Sequence, residues 1–193
     1  EKGFHKEIKA IIVEERSSNL LKFCILNTLL MCRMKIRISI YTTSKSLKEL
    51  SLLFSGLEEW VEIIDLGKLN ISSLNRITYN NLLKTSEFWD LARAEKVLVI
   101  QTDSLIIDPF DFSFFNFDFI GSPWVRNKIS ISFPVFSKDL LNQKGIYWAH
   151  EEFNMDINMS LLIGNGGLSI RNTRIMKKIC ESELSYKGEP EDV

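Results

Sequence analysis

An aspartate stands just beyond one of the most apolar runs of the sequence. Val97–Ile100 contains four consecutive apolar residues, three of them β-branched, which predicts a strand buried on both faces. Asp103 follows this run, and open α/β sheets bind ligands just beyond the carboxyl ends of such strands. A carboxylate there suits Mg²⁺ or Mn²⁺, which bind through one or two carboxylates and substrate phosphates. The alternative is an aspartate that only closes the turn after the strand.

A second candidate segment is rich in glycine. Gly164-Asn165-Gly166-Gly167 lies between two apolar runs. Glycine lets the backbone approach a diphosphate or a sugar without a Cβ in the way, and a turn can present its N–H groups to an anion. Asn-Gly is also the strongest short hairpin signal, so a plain turn is the alternative.

Two further segments contain side chains suited to binding or proton transfer. Glu191-Asp192 follows a glycine and a proline, which predict a loop. A carboxylate there can take the proton of an attacking hydroxyl as a general base, and the alternative is a solvated acidic loop. Trp124 follows Gly121-Ser122-Pro123 and is either a platform for a sugar ring or a core residue.

Several common sites are excluded by the sequence itself. No G-x-x-x-x-G-K-[ST] loop occurs, and the glycine segment fails G-x-G-x-x-G because Ser169 stands at the last position. His150-Glu151 begins a zinc-protease motif that Asn154 breaks, and no G-x-S-x-G elbow is present. The formal charge of −1 gives no electrostatic case for binding nucleic acid.

The elements that must position these residues follow a β-α-β-α-β-α-β order, which predicts a parallel sheet with helical crossovers. Strands are predicted at residues 10–13, 36–40, 61–64 and 97–100, and helices at 20–34, 47–57 and 75–93 with a break near 85–86. Ser17 or Ser18 is expected to cap the first helix, which is apolar nearly all round and expected to be buried. Ser46 is expected to cap the second, and Asn172 or Thr173 a helix that ends near Cys180.

The length of 193 residues predicts one domain. The three cysteines, at 24, 32 and 180, form no C-x-x-C pair, so we expect reduced core thiols and a cytoplasmic location. No signal peptide is visible, and no apolar run reaches the ~18 residues that span a bilayer. The chain begins at Glu1 rather than Met, so the alternative is that it is part of a longer protein.

Six short segments, taken in order, resemble the GT-A class of glycosyltransferases, and more closely a family of glycosyltransferase-like domains. These segments are Tyr79-Asn80-Asn81-Leu82-Leu83, Phe88-Trp89, Gln101-Thr102-Asp103-Ser104, Ile120–Trp124, Gly164–Arg171 and Glu191-Asp192-Val193. The resemblance implies a GT-A-like (Rossmann-like) α/β fold with a mixed, mostly parallel sheet flanked by helices. It also implies a nucleotide-binding half over about residues 1–108 and an acceptor-binding half over about residues 109–193.

The resemblance also implies how a sugar donor is held. In the GT-A class an Asp-x-Asp motif binds a divalent metal on the diphosphate of the donor, and Gln101-Thr102-Asp103 occupies that place with only its last acid. Asp103 is therefore the expected ligand of Mn²⁺ or Mg²⁺, and Gln101 the expected contact to ribose or a bound water. Ser104 belongs to the same donor segment.

The implied reaction is an inverting, hexosyltransferase-like transfer from a nucleoside-diphosphate sugar to a hydroxyl of a glycan or another acceptor. A UDP-sugar is favoured because UDP is common in this class. Asp192 is the expected base and Glu191 orients the acceptor. Asn165, Gly166 and Gly167 are expected to contact the diphosphate or the sugar.

Two more residues are expected at the nucleotide. Arg16 follows the first strand and can reach a nucleotide, and its alternative role is an ion pair with Glu14 or Glu15. Tyr79 can stack on the base.

Two rival functions remain open. A sugar nucleotidyltransferase on a related fold would normally show a glycine-rich loop after the first strand, whereas residues 14–18 contain no glycine. A non-catalytic module would bind a nucleotide or a carbohydrate without turnover. The missing first Asp favours such a module, whereas Glu191-Asp192 opposes it.

Overall fold

The computed structural model describes residues 7–123 and 163–182. The described strands are β1 (Ile8–Val13), β2 (Arg37–Thr42), β3 (Val61–Asp65), β4 (Lys96–Ile100), β5 (Phe119–Pro123) and β6 (Ile163–Asn172). The described helices are α1 (Asn19–Met31), α2 (Leu47–Leu53), α3 (Arg76–Leu83), α4 (Ser86–Ala92) and α5 (Thr173–Cys180). Among these helices none is both long and apolar enough to cross a lipid bilayer.

The described strands form one sheet in the order β3-β2-β1-β4-β6-β5. β1 pairs in parallel with β2 and with β4, and β2 pairs in parallel with β3. β6 runs antiparallel to both of its neighbours, β4 and β5. The predicted mixed, mostly parallel α/β sheet is therefore confirmed.

The strand order changes direction at β1. From β1 the chain passes to β2 and β3 on one side, and it later returns to place β4 on the other side. The carboxyl ends of β1 and β4 therefore flank a topological switch point, where the crossover segments lead to opposite sides and leave a crevice.

Helices cover both faces of the sheet. Alternate strand residues such as Ile12 and Leu98 pack with α1 and α2 in one core, because successive side chains of a strand point to opposite faces. The intervening residues, such as Ile11 and Val99, pack with α3, α4 and α5 in a second core. The result is a three-layer α/β arrangement.

Two helix caps match the sequence. The Ser18 hydroxyl accepts a hydrogen bond from the N–H of Leu21 at the start of α1, and the Asn172 side chain accepts two backbone N–H bonds at the start of α5. These bonds satisfy N–H groups that have no partner inside a helix. Of the two alternatives predicted for each cap, the structure confirms Ser18 and Asn172.

The expected burial of the first helix is wrong for its outer side. Leu20 and Phe23 are each 56% exposed, and Leu30 is 66% exposed. Only the side of α1 that meets the sheet is covered within the described residues. An all-round apolar sequence cannot indicate which side that is.

The second predicted helix is shorter than expected. α2 ends at Leu53 rather than at residue 57, and Gly56 then adopts a φ of +85°, a left-handed conformation that glycine reaches without strain. Ser46 closes a 3-10 turn and makes no side-chain cap, so its predicted capping role is wrong. The expectation of unpaired cysteines is confirmed, since all three thiols are free.

Candidate functional site

A cavity of about 630 Å³ lies at the switch point between β1 and β4. Its walls come from residues 12–16 at the end of β1, from residues 74–79 around the start of α3, and from residues 101–103 after β4. This is the position where open α/β sheets bind their ligands. The cavity brings together four predicted site residues, Arg16, Tyr79, Gln101 and Asp103.

The Glu14 carboxylate is engaged by protein donors. Arg16 Nε donates to Glu14 Oε1 at 2.9 Å and Arg16 Nη2 to Glu14 Oε2 at 2.6 Å. The backbone N–H groups of Glu15 and Arg16 also donate to Glu14 Oε1. Burial raises the pKa of Glu14, but these hydrogen bonds and the Arg16 charge outweigh it, and the pKa is lowered overall.

Arg16 therefore makes the ion pair that the sequence offered as its alternative role. Its side chain is still 74% exposed at the rim of the cavity. A contact between Arg16 and a nucleotide remains a prediction.

The Glu15 carboxylate is engaged too, and it joins three segments. Its Oε2 accepts a hydrogen bond from Thr43 Oγ1 at 3.1 Å and from the N–H of Leu74 at 3.2 Å. Lys45 Nζ lies 3.3 Å from the same oxygen. Glu15 thus fixes the residues that precede α3, and with them one wall of the cavity.

Asp103 differs from both glutamates. It lines the cavity with an exposed side chain, and within residues 7–123 and 163–182 no hydrogen bond or ion pair engages its carboxylate. Its negative charge, after the larger effect of burial, helps to raise the pKa of the Cys24 thiol to about 11. The Asp103 carboxylate is therefore open to an added cation or to hydrogen-bond donors of a ligand.

A divalent ion at this site would have few protein ligands. No group of three His, Cys, Asp or Glu residues within the described part of the chain could hold a metal, and Glu14 and Glu15 are already engaged. Asp103 would hold such an ion together with substrate phosphates, a common arrangement for Mg²⁺. The donor set fits a metal that arrives with its substrate.

Gln101 makes a different contact from the one expected. Its Nε2 donates a hydrogen bond of 2.9 Å to the phenol oxygen of Tyr79. Tyr79 lies in α3, whose first turn is fixed by a capping box between Asn75 and Thr78. The expected contacts of Gln101 to ribose and of Tyr79 to a base remain predictions.

The loop that contains Asp103 rests on α1. The Cys24 thiol donates to the carbonyls of Gln101 and Ser104, with sulfur–oxygen distances of 3.4 and 3.6 Å. Asn27, one turn further along α1, donates to the carbonyl of Ile106 and accepts from its N–H, each at 3.0 Å. Helix α1 therefore holds both ends of this loop.

The glycine segment lies in strand β6 rather than in a turn, so the hairpin alternative is wrong. Gly121 pairs with Ser169, but the next residue of β5, Ser122, pairs with Asn165. The intervening residues of β6 therefore form a bulge relative to β5, and glycine is a frequent residue at such bulges. The Ser104 hydroxyl donates to the carbonyl of Gly167 at 2.7 Å, so the bulge contacts the loop after β4.

Two of the six segments that carry the family resemblance, Phe88-Trp89 and Gly164–Arg171, meet in the core of the protein. The Arg171 guanidinium lies 5.9 Å from the ring centroids of both Trp89 and Phe119, and its Nε donates to Ser169 Oγ. Arg171 is fully buried. These contacts join β6 to α4 and β5. The presence of Trp89 and Arg171 in the six segments is therefore explained by packing.

Several predicted site residues lie outside what the structure describes. These are Trp124, Glu191 and Asp192. The backbone of Asn165 and Gly166 is part of β6, and their contact to a ligand remains a prediction.

Sequence reasoning gave Glu14 and Glu15 only as ion-pair partners of Arg16 and missed their place on the cavity wall. A signal was present, because both follow a buried strand as Asp103 does. It also missed Asn27, because nothing in the sequence links that residue to Ile106.

The fold and the cavity define a class: a mixed α/β protein with a cavity at the switch point of its sheet. The chain belongs to the family described as "Protein of unknown function (DUF5672)", whose model matches residues 61–193. Among solved structures the chain is similar to the 4-diphosphocytidyl-2C-methyl-D-erythritol synthase of Anaerococcus prevotii DSM 20548. The TM-score is 0.52 at 10% identity, covering 96% of this chain and 80% of that chain. A comparison with curated proteins finds no match.

Proposed function

We propose that this protein is a transferase that binds a nucleotide-linked substrate in the cavity between β1 and β4. The observation that carries the proposal is the open carboxylate of Asp103 at the switch point of the sheet, beside two engaged glutamates. Ligands of open α/β sheets bind at this position. A carboxylate left open there is suited to hold the cation that accompanies a phosphate ligand.

The favoured reaction is glycosyl transfer from a nucleoside-diphosphate sugar, with a UDP-sugar as first choice. Three carboxylates and two guanidinium groups line the described cavity, namely Glu14, Glu15, Asp103, Arg16 and Arg76. Such a surface carries more negative than positive charge, so it repels a diphosphate less strongly than the more highly charged triphosphate.

In this reaction the residues would have the following roles. The Tyr79 ring would pack against the base, and Asp103 would hold Mn²⁺ or Mg²⁺ at the diphosphate. Gly166 and Gly167 would approach the diphosphate or sugar. Asp192 would accept the proton of the attacking hydroxyl while Glu191 orients the acceptor; both lie outside the described residues.

A second candidate is nucleotidyl transfer, in which a sugar phosphate attacks a nucleoside triphosphate and pyrophosphate leaves. The similar fold of the Anaerococcus prevotii synthase favours this candidate, because the name of that enzyme contains a diphosphocytidyl group. The absence of glycine from residues 14–18 opposes it. A binding module without turnover is the third possibility.

Nucleotide binding is tested by thermal unfolding with UDP, GDP and CMP, each with Mn²⁺ or with EDTA. A ligand at 100 times its dissociation constant adds roughly 2.7 kcal/mol to the free energy of unfolding. The expected result is a shift with one nucleotide that Asp103→Ala removes. Asp108→Ala is the matched control, because Asp108 is also exposed but lies outside the cavity lining.

The reaction is tested by product analysis. Release of a nucleoside diphosphate from a sugar nucleotide, with the sugar on a hydroxyl acceptor, supports glycosyl transfer. Pyrophosphate release from a triphosphate and a sugar phosphate supports the second candidate. Binding without either product supports the module, and no shift with any nucleotide would overturn the proposal.

A further inference from the structure

We infer that Gln101 is a positioning residue that holds the Tyr79 ring on the cavity wall and does not itself contact the ligand. The inference rests on the proposed function, since it concerns how the same cavity receives a nucleotide. It gives Gln101 a role that differs from the ribose or water contact expected of the residue at this place in the sequence.

The geometry of the pair carries the inference. Gln101 follows β4 directly and Tyr79 lies in α3, so the hydrogen bond of 2.9 Å joins two separate walls of the cavity. Both side chains are half-buried. With its Nε2 bonded to the phenol oxygen, the Gln101 amide is directed at Tyr79.

The bond to Gln101 restrains the far end of the Tyr79 side chain. The capping box of Asn75 and Thr78 fixes the backbone at the start of α3, and a fixed backbone by itself does not set the two side-chain torsions. The hydrogen bond from Gln101 limits those torsions before a ligand arrives. Ordering a side chain in advance lowers the cost of binding.

The pairing also accounts for the residue type at position 101. The amide of glutamine reaches the phenol oxygen and donates to it, whereas the side chain of aspartate is shorter by one methylene. The observed side-chain contact of Gln101 is the bond that its Nε2 donates to Tyr79.

A double-mutant cycle on nucleotide affinity tests whether Gln101 acts through Tyr79. The variants are Gln101→Leu, Tyr79→Phe and the double variant, each titrated with the nucleotide that shifts the wild type. Either single change is expected to weaken binding about fivefold, the size of one net hydrogen bond. In the Tyr79→Phe background, Gln101→Leu should then add less than about twofold. Additive losses would mean that Gln101 contacts the ligand directly, which would overturn the inference.

A measurement without ligand separates this inference from the proposed function. N-acetylimidazole acetylates accessible tyrosine hydroxyls, and peptide mass spectrometry reports each site. Gln101→Leu should raise the acetylation rate of Tyr79 severalfold, and Gln101→Glu should restore protection because a carboxylate accepts a hydrogen bond from the phenol hydroxyl. Tyr41 is fully buried and reports unfolding.

The outcomes are distinct. Absence of nucleotide binding by the wild type overturns the proposed function, whatever the acetylation shows. An unchanged Tyr79 rate in Gln101→Leu, with Tyr41 protected, overturns the positioning role. A raised rate together with a non-additive cycle supports it.

Discussion

Ser104 and Gly167 are joined by a hydrogen bond of 2.7 Å, in which the Ser104 hydroxyl donates to the Gly167 carbonyl. The two residues lie 63 positions apart in the chain. The bond connects the loop after β4, which contains Asp103, to the bulge of β6. Two segments that the sequence assigned to the same ligand are therefore in direct contact.

Ser104→Ala should lower both stability and ligand binding. The variant leaves the Gly167 carbonyl without this donor in a partly buried place, which typically costs about 0.5–1.5 kcal/mol. Urea unfolding measures the loss, and the nucleotide-induced thermal shift should also shrink because the Asp103 loop is less restrained. Ser55→Ala is the control, because Ser55 is exposed and its hydroxyl makes no hydrogen bond to the described residues. A Ser104→Ala protein as stable as that control would contradict the prediction.

Asp103→Ala and Glu15→Ala should separate binding from stability. Glu15 accepts from Thr43 and from the Leu74 N–H, so its removal leaves a backbone donor unsatisfied and should cost about 1–3 kcal/mol. Asp103 has no such partner in the described part of the chain, and its removal should change stability by less than about 0.5 kcal/mol. Urea unfolding of both variants without ligand is the measurement. A large loss in Asp103→Ala would mean that its carboxylate supports the fold.

The sequence predicted the elements well because each depends on neighbours along the chain. The apolar runs of the strands and the caps Ser18 and Asn172 are local signals, and the structure reproduces them. The glycine segment was harder. Asn-Gly is compatible with a hairpin turn, but the pairing of β6 with β4 and β5 keeps these residues in a strand, and only tertiary structure decides between the two.

Only part of the candidate site was predicted from the sequence, and the reason is related. The position of Asp103 follows from its own strand, whereas the partners of the cavity residues lie far away in the chain. Gln101 and Tyr79 are 22 positions apart, and Glu15 and Leu74 are 59 apart. Contacts of this kind depend on which strands are neighbours in the sheet, and the order of elements alone does not give that.

Asn27→Asp should loosen the loop that contains Asp103 while preserving side-chain size. The Asn27 amide now donates to the carbonyl of Ile106 and accepts from its N–H. In the aspartate variant one bond remains and the other becomes a contact between two acceptor oxygens, at an expected cost of about 1–3 kcal/mol. Urea unfolding measures this cost, and Asn19→Asp, at the exposed start of the same helix, is the matched control. Equal stabilities of the two variants would show that the hydrogen bonds between Asn27 and Ile106 do not stabilise this loop.

Glu14→Gln should alter how stability depends on pH. Burial alone raises the pKa of Glu14, but the hydrogen bonds and charge of Arg16 lower it overall in the folded state. The unfolded chain therefore binds the proton at higher pH than the folded chain does. The stability gained from the ionised carboxylate is fully present above the unfolded pKa, near 4.5, and is lost as the pH falls through the lower, folded pKa.

At neutral pH, Glu14→Gln should thus be less stable than the wild type, and the difference should shrink as the pH falls below about 4.5. Urea unfolding from pH 7 to pH 3 measures the difference, in which the carboxylates that both proteins share cancel. Glu59→Gln is the control for removing one exposed carboxylate. A difference between the wild type and Glu14→Gln that stays constant or grows toward acid would show that the ion pair with Arg16 does not stabilise the charged form of Glu14.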